Sequence, residues 1–492
     1  MPNEAQLLEF FKGIESIVWG WPTLIALVLT GVYLTFLLGG LQFRHLIPSL
    51  ALAFTSRKKG ERGAGDITHF QALMTALAAT VGTGNIAGVA TAISLGGPGA
   101  VVWMWLTGFL GMATKYAEGV LGVYFRRKNT KGEMNGGPMY YIEDGLYTYY
   151  PTLTKLGIHK FLAVMFAAIM MVSALSLGNM VQSNSVADVL SNSFGVNTLL
   201  TGIVLAVLTG LVILGGIKRI GRVASALVPL MIVFYLGGGT LVLIHHIDAI
   251  PHAFRLIFDG AFNGTDAVAG GFIGAVVKEV MKYGLSRGVF SNESGLGSSP
   301  IAAATAKTKH PVEQALVSMT QTFIDTIVVC TFTALIIIVS GLWATEDPNQ
   351  ITGAALTAKA FGGVLNIDGG LPLGEILVTI SLVFFAYSTL LGWSCYGEKA
   401  VSYLFGDAFI TPYRLLFIAV VALGAVTQLH LAWTIASVLT ALMMLPNLIG
   451  LVLLSPLVAR LTKDYFRNEK TGEGYAEKPF FHIYEEQLKT EK

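Results

Sequence analysis

Two glycine-rich stretches contain the residues best suited to bind a small ligand, and both interrupt long apolar segments. The first, VGTGNIAG, covers residues 81–88, and the second, SNESGLGSSP, covers residues 291–300. In hydrocarbon, a backbone N–H or C=O without a hydrogen-bond partner carries a large free-energy cost. Unwound backbone is therefore expected at such places only where it lines a cavity and binds a ligand.

These stretches offer two kinds of binding group. The N-terminus of a half-helix presents free N–H groups and the positive end of the helix dipole to an anion, whereas unwound carbonyl oxygens can coordinate a cation. A small zwitterion together with a sodium ion matches this set of groups. The spacing of Gly84 and Gly88 is also typical of close helix packing. A nucleotide-binding loop is disfavoured, because the spacing is not G-x-G-x-x-G and no strand precedes it.

The composition indicates a polytopic, all-α membrane protein embedded in the lipid bilayer. Hydrophobic residues make up 53% of the 492 residues and charged residues only 13%, against about a quarter charged in soluble domains. The net charge of +2 gives no indication of nucleic-acid binding. Cys330 and Cys395 lie in apolar runs and are expected to be packing residues rather than a disulfide or metal site. The N-terminus has no basic region typical of a cleavable signal.

About eleven segments are apolar and long enough to span a membrane: 17–40, 67–95, 98–125, 160–183, 198–216, 222–244, 283–306, 312–341, 373–395, 413–430 and 432–457. Most of the 32 Lys and Arg residues fall in one set of alternating connections. Because cytoplasmic loops are rich in Lys and Arg, we expect an outside N-terminus and a cytoplasmic C-terminus in the cell membrane. That set includes Lys399 and the stretch SRKKGERGAGD, which we expect to be a solvated cytoplasmic loop.

An internal repeat relates the two halves of the chain. Three pairs of residues are separated by the same number of positions: Gly82 with Gly295, Gly84 with Gly297, and Pro98 with Pro311. Because spans 2 and 7 run in opposite directions, spans 2–6 and 7–11 form inverted halves, with span 1 as an extra helix. We expect an extra helix and basic cytoplasmic loop at 1–66, repeats at 67–250 and 283–460, an extracellular connection at 251–282, and a cytoplasmic tail at 461–492.

Broken helices at matching places in two inverted halves are typical of the central site of a secondary transporter. A channel does not need such helices. A membrane enzyme is disfavoured because the chain has no H-E-x-x-H, no G-x-S-x-G and no histidine in the middle of a span. We expect no cofactor apart from a coupling ion.

Three stretches resemble the alanine/glycine:cation symporter family of the amino-acid–polyamine–organocation superfamily: VGTGNIAGVATAISLGGPGAVVWMW, MNGGPMYY and GLSRGVFSNESGLGSSPIAAATA. The resemblance extends from about Phe70 to Lys463. It implies sodium-coupled symport of alanine or glycine by alternating access. It also implies a leucine-transporter-type fold of five plus five inverted helices.

The break argument and the resemblance together suggest substrate-binding residues in both broken spans. On span 2, the amides of Gly82, Thr83 and Gly84 would hold the substrate carboxylate, and Asn85 offers both an acceptor and donors. On span 7, the counterparts are Asn292, Ser294, Gly295 and Gly297, whose carbonyl or hydroxyl oxygens would bind the ammonium group. On span 4, Asn179 and Gln182 share a helix face and could line the substrate path, although packing between helices explains them equally well.

Sodium is a hard cation that prefers several oxygen ligands, as calcium does. Backbone carbonyls near Thr80, Val81 and Thr83 could supply some of them. Ser388 and Thr389 on span 9 correspond to the sodium-binding helix of the leucine-transporter fold, although such hydroxyls often bond to their own helix.

Two further features involve charged residues inside spans, which are functional candidates by default. Asp325 lies near the middle of span 8. Its carboxylate could bind sodium or carry a proton, or it could have a structural role through a hydrogen bond to neighbouring hydroxyls or a pair with a basic residue. A proton-coupled amino-acid symporter that uses Asp325 is therefore the competing function. Lys115 and Glu118 are three residues apart on span 3 and are expected to pair with each other.

Overall fold

The computed structural model describes residues 4–55, 63–263, 273–345, 353–366, 371–427 and 429–471. The α-helices in chain order are α1 Glu4–Val18, α2 Trp21–Leu37, α3 Leu41–Arg44, α4 Leu46–Phe54, α5 His69–Thr80, α6 Val89–Gly96, α7 Ala100–Tyr124, α8 Pro138–Tyr149, α9 Pro151–Lys155, α10 Ile158–Leu175, α11 Val181–Phe194, α12 Thr198–Ile213, α13 Gly216–His245, α14 Ile250–Asn263, α15 Ile273–Asn292, α16 Ser299–Ala304, α17 Pro311–Thr322, α18 Thr331–Val339, α19 Leu342–Thr345, α20 Gly353–Leu365, α21 Leu373–Phe405, α22 Ile410–Gly424 and α23 Leu429–Thr471. One hairpin pairs β1 Arg127–Lys128 with β2 Met134–Asn135 in antiparallel fashion.

The helices correspond to the predicted spans. Within the described residues, seven helices are long and apolar enough to cross a membrane, and α5 with the helix from Gly84 to Gly96 makes an eighth. The remaining three predicted spans correspond to α7, to the shorter helix α12, and to α15 with α16. The fold is therefore an all-α polytopic membrane fold, as the composition predicts.

The two broken spans are interrupted at equivalent places in the repeat. In span 2, helix α5 ends at Thr80, and the helix that follows from Gly84 is inclined by 53°. In span 7, α15 ends at Asn292 and α16 begins at Ser299. The equivalent residues Gly82 and Gly295 lie inside the two breaks, so the glycine spacing located both interruptions.

Three π-helical segments lie within spans 2, 4 and 8: Gly84–Gly88, Ser176–Met180 and Phe323–Cys330. A π-helical turn inserts an extra residue and often marks a functional site. Here the segments widen the helices that surround the breaks.

The extra N-terminal helices pack on the outside of the repeats. Helix α2 contacts α7 and α23, and α1 also contacts α23. The Trp19 indole N–H donates to the carbonyl of Ser437 at 3.0 Å, and the Tyr33 and Ser455 hydroxyls are 2.9 Å apart. These contacts join the extra helices to the last span of the second repeat.

One expectation about the segments that connect the spans was wrong. Lys399 does not lie in a connection, because α21 continues to Phe405 and buries the Lys399 side chain, whose Nζ is 3.5 Å from Glu133 Oε2. At the end of the stretch SRKKGERGAGD, Gly63 is exposed and residues 64–66 are half-buried, and Ala64 and Asp66 are hydrogen-bonded to the segment after α16. Residues 56–62 of that stretch, 264–272 of the expected extracellular connection and 472–492 of the expected tail lie outside the described residues.

Candidate functional site

A small cavity lies where the two broken spans meet spans 4 and 9. Its lining residues come from all four elements: Ala79, Thr80, Gly82, Thr83, Gly84, Leu177, Gln182, Phe290, Glu293, Thr389 and Trp393. The breaks bring backbone to this cavity, which is the arrangement that unwound membrane helices require.

The break in span 2 is held open by side chains. Val81 leaves helical geometry with φ −74° and ψ 92°. The Gly82 N–H donates to Asn85 Oδ1 at 2.9 Å, so a side chain replaces the missing helical acceptor. A Cβ atom at Gly82 would lie 2.6 Å from Thr389 Oγ1. Only glycine therefore allows span 2 to approach span 9 this closely at the cavity.

The break in span 7 contains a strained residue. Glu293 adopts φ +56°, which is rare for a residue with a side chain. Its carboxylate accepts a bond from the Trp393 indole N–H at 3.1 Å and another from the Ser298 hydroxyl at 2.5 Å. Strained backbone of this kind is concentrated at functional sites. Here it places an acidic side chain at the edge of the cavity.

Asp325 joins the two breaks through a buried hydrogen-bond cluster. Its Oδ1 accepts a bond from Asn85 Nδ2 at 2.7 Å, and its Oδ2 accepts bonds from the Ser291 and Thr326 hydroxyls at 3.0 and 2.9 Å. The Cys330 Sγ lies 3.3 Å from both Asn85 Nδ2 and Ser291 Oγ. A carboxylate thus lies between span 2 and span 7, directly behind the cavity.

Some of the predicted sodium residues line the cavity, and the others lie beside it. Thr80, Thr83 and Thr389 line the cavity, although the Thr389 hydroxyl donates to Phe385 O at 3.0 Å within its own helix. The Ser388 hydroxyl lies 3.2 Å from Ala78 O and 2.8 Å from Phe385 O, so it connects spans 2 and 9. Val81 directly follows the last residue of α5 and has extended backbone geometry.

The predicted substrate residues are only partly brought together. Gly82, Thr83, Gly84 and Gln182 line the cavity. The Gln182 Nε2 donates to Leu177 O at 3.2 Å, and its buried Oε1 has no hydrogen-bond partner among the described residues. Asn85 faces Asp325 rather than the cavity.

The other predicted residues face neighbouring helices. Asn179 Nδ2 donates to Phe417 O at 2.8 Å. Asn292 Nδ2 lies 3.3 Å from the Thr107 hydroxyl, and its Oδ1 accepts the Ser294 N–H at 2.9 Å. The Ser294 hydroxyl lies 3.2 Å from that of Thr322.

The remaining two residues of this set, Gly295 and Gly297, contact α7 and α23. The Gly295 carbonyl accepts a bond from Asn447 Nδ2 at 2.8 Å, and the Gly297 N–H donates to Glu118 Oε1 at 3.1 Å. Lys115 Nζ donates to the Ser299 hydroxyl at 2.9 Å instead of forming the expected ion pair with Glu118. These two charged side chains therefore support the second break separately.

Five cavity residues were not among the binding residues predicted from the sequence: Ala79, Leu177, Phe290, Glu293 and Trp393. Trp393 follows Thr389 by four residues and so shares its helix face, which is the signal that could have identified it. The packing alternative for Gly84 and Gly88 fits only in part. A Cβ at Gly84 would lie 3.3 Å from Ser291 Cα, whereas no described atom would lie within 4 Å of a Cβ at Gly88.

Phe290 separates the central cavity from a second, outer cavity. It lines both, and the outer one is also lined by charged side chains of α1 and α15, including Glu15 and Arg287. The Phe290 ring stacks on Trp433 with centroids 6.2 Å apart, and the Arg287 guanidinium lies 6.0 Å from its centroid. An aromatic side chain thus closes one side of the cavity.

Comparison with known proteins gives a family match over almost the whole chain. The sequence model that describes the sodium:alanine symporter family matches residues 4–479 of this chain. The sodium/alanine symporter AgcS of Methanococcus maripaludis is 52% identical over 92% of this chain and 96% of its own. The probable sodium/glutamine symporter GlnT of Bacillus subtilis is 37% identical over 95% and 92%. The crystal structure of MhsT in complex with L-phenylalanine has a TM-score of 0.53 at 12% identity, covering 81% of this chain and 98% of MhsT, which shows a shared leucine-transporter-type fold.

Proposed function

The chain belongs to the sodium:alanine symporter family, and we propose that it takes up alanine and glycine through the cavity between its two helix breaks. It is a secondary active transporter that uses sodium as its coupling ion. The observation that carries the substrate proposal is the small cavity at which residues of both breaks meet. Sodium moving down a membrane potential supplies about 2.3 kcal/mol per charge per 100 mV.

The cavity supports a binding mode for a small zwitterion. The substrate carboxylate binds near the amides of Thr83 and Gly84, which lie where span 2 resumes its helix. The ammonium group faces Glu293 and the Oε1 of Gln182, two acceptors among the residues that line the cavity. The other predicted residues of the two breaks and of span 4 hold the backbone in place through contacts with neighbouring helices: Asn85, Asn179, Asn292, Ser294, Gly295 and Gly297.

The walls of the cavity favour a short side chain. Trp393 and Phe290 are large, and Leu177 fills a third side. The space between them is about 20 Å³, roughly that of one water molecule, so even alanine requires the walls to move apart, and each further carbon of a longer side chain requires a larger displacement. This argument favours alanine and glycine over larger neutral amino acids.

The sodium site lies beside the substrate. The Ser388 and Thr389 hydroxyls together with carbonyls of span 2 near Ala78 and Val81 supply oxygen ligands of the kind that hard cations prefer. Asp325 is a second candidate, since its carboxylate connects both breaks.

The orientation follows from the Lys and Arg distribution. With the N-terminus outside, the outer cavity below α1 is the extracellular entrance and Phe290 closes it. The hairpin β1–β2 is then cytoplasmic. A cysteine at Lys131, in the turn of that hairpin, should react with an impermeant thiol reagent only from the cytoplasmic side, and a cysteine at Lys12 only from outside. Labelling of both from one side would contradict this orientation.

Uptake by proteoliposomes tests the function directly. We expect labelled alanine and glycine to accumulate under an inward sodium gradient, and leucine to accumulate far less. Proton coupling through Asp325 is the second candidate, favoured by the burial of this carboxylate in the membrane region. Accumulation that follows an imposed proton gradient without sodium would establish that alternative.

A further inference from the structure

The segment before span 2 is bonded to the segment after span 7. The Asp66 N–H donates to Thr305 O at 2.7 Å, the Lys307 N–H to Ile67 O at 2.8 Å, and the Thr308 N–H to Ala64 O at 3.1 Å. We call this contact between residues 63–67 and 304–308 the inner junction. It connects the start of α5 to the end of α16, the inner halves of the two broken spans.

Two glycines allow the backbones to approach this closely. Gly63 and Gly65 adopt φ +39° and +148°. A Cβ at Gly63 would lie 2.2 Å from the carbonyl oxygen of Thr308, and one at Gly65 would lie 2.3 Å from that of Ala306. The two glycines of the stretch GAGD are therefore required for this contact, although its composition suggests a flexible loop.

Arg126, just beyond the end of α7, binds both sides of the inner junction. Its Nη1 donates to Ala304 O at 3.0 Å and to Ala306 O at 2.7 Å, and its Nη2 donates to Ala64 O at 2.9 Å. The side chain is only 5% exposed. Separation of the two segments would leave a buried guanidinium and several carbonyls without partners, and both are costly.

The β1–β2 hairpin reinforces the same contact. Asp66 Oδ2 accepts a bond from the Met134 N–H at 2.8 Å. Span 3, the hairpin and the inner halves of spans 2 and 7 are thus linked by hydrogen bonds. By contrast, α5 meets span 9 mainly through close packing of Gly392 on Ala79, together with the Ser388 hydroxyl, which lies 3.2 Å from Ala78 O.

We propose that the inner junction stays closed throughout the transport cycle, so that the inner halves of spans 2 and 7 move as one unit. Arg126 is the positioning residue that holds them together. The cytoplasmic exit then opens by joint movement of α5 and α16 against span 9, and α5 does not swing away alone. This inference rests on the proposed function, since it concerns how the central cavity reaches the cytoplasm.

Cross-linking across the junction tests the proposal. Ala64 and Thr308 are paired as partners of a β-bridge, so Ala64→Cys with Thr308→Cys places two thiols close together, and both native cysteines are buried. Purified protein is oxidised to different extents and reconstituted, and the initial rate of sodium-driven alanine uptake is plotted against the cross-linked fraction. We expect a rate that does not depend on this fraction. A rate that falls in proportion to it, and recovers with reductant, would overturn the proposal.

Arg126 variants provide a second measurement. Arg126→Gln should lower the maximal uptake rate at least five-fold, while the half-saturating alanine concentration stays within two-fold. Cross-linking the Ala64→Cys and Thr308→Cys pair in this variant should restore at least half of the lost rate, which a purely structural role in folding does not predict. Arg126→Gln protein that transports at the parental rate, or is not rescued by the cross-link, would contradict the role of Arg126. Absence of uptake by the parent protein would instead contradict the proposed function.

Discussion

Gly82→Ala is the most direct test of the central cavity. The new methyl carbon would lie 2.6 Å from Thr389 Oγ1, well inside van der Waals contact. Thr389 cannot easily turn away, because β-branched side chains have restricted χ1 angles and its hydroxyl bonds to Phe385 O. Overpacking of this kind costs about 1–3 kcal/mol. Gly82 and Thr389 both line the substrate cavity, so relief of this conflict displaces the cavity wall, and we expect the cost to appear as weaker alanine binding.

The expected result is a loss of alanine affinity of roughly 5- to 150-fold, because about 1.4 kcal/mol corresponds to a factor of ten. The assay is equilibrium binding of labelled alanine to purified protein in sodium chloride. Gly88→Ala is the matched control in the same span, because no described atom lies within 4 Å of its added Cβ. It should bind alanine as the parent does.

A double variant separates steric conflict from general damage. Thr389→Ser keeps the hydroxyl but removes a methyl group and frees χ1, so it should recover part of the affinity lost by Gly82→Ala. Binding of alanine by Gly82→Ala within two-fold of the parent would refute the assignment of the cavity. Equal losses in Gly82→Ala and Gly88→Ala would do so as well.

Three further predictions concern the ion sites and the second break. Ser388→Ala with Thr389→Ala should raise the sodium concentration for half-maximal uptake about ten-fold, and unchanged sodium dependence would identify both hydroxyls as packing groups. Asp325→Asn should abolish sodium-driven alanine accumulation while the purified protein stays monodisperse; normal accumulation would remove Asp325 from the coupling mechanism. Gly297→Ala should lower the melting temperature in detergent more than it lowers alanine affinity. Its φ of +79° disfavours any side chain by about 1–2 kcal/mol, and its Cβ points away from the cavity; a loss of affinity without loss of stability would contradict this.

The sequence predicted the large-scale organisation because that depends on properties that repeat along the chain. Apolar length located the spans, and the equal separation of Gly82 from Gly295 and of Gly84 from Gly297 located both breaks. The glycine pairs could locate the breaks because each unwound segment contains glycine at the equivalent position of its repeat.

It was harder to predict which side chains face the cavity. Inside a break the backbone is not helical, so the spacing of residues does not indicate the direction of their side chains. Asn292 and Ser294 flank the cavity in sequence, but the left-handed turn at Glu293 directs them to span 3 and span 8. Trp393 and Phe290 are apolar residues in apolar helices, and only tertiary packing distinguishes a cavity wall from the core. Such residues therefore carry no signal in the sequence that marks them as ligand contacts.

The position of one charged residue was also predicted wrongly. Lys399 resembled a loop residue because isolated lysines are rare inside helices of membrane proteins. In the structure Lys399 is paired with Glu133 from the hairpin β1–β2. A partner that is distant in the chain cannot be recognised from local composition.

The thiol of Cys330 gives the protein an intrinsic chemical reporter. It lies 3.3 Å from Asn85 Nδ2 and from Ser291 Oγ, the same groups that bond to Asp325. Any ion or proton that rearranges the Asp325 cluster must therefore change the surroundings of this sulfur. The rate at which a small, membrane-permeant mercurial inactivates transport should depend on sodium concentration, and it should do so in the unmodified protein, without an engineered label.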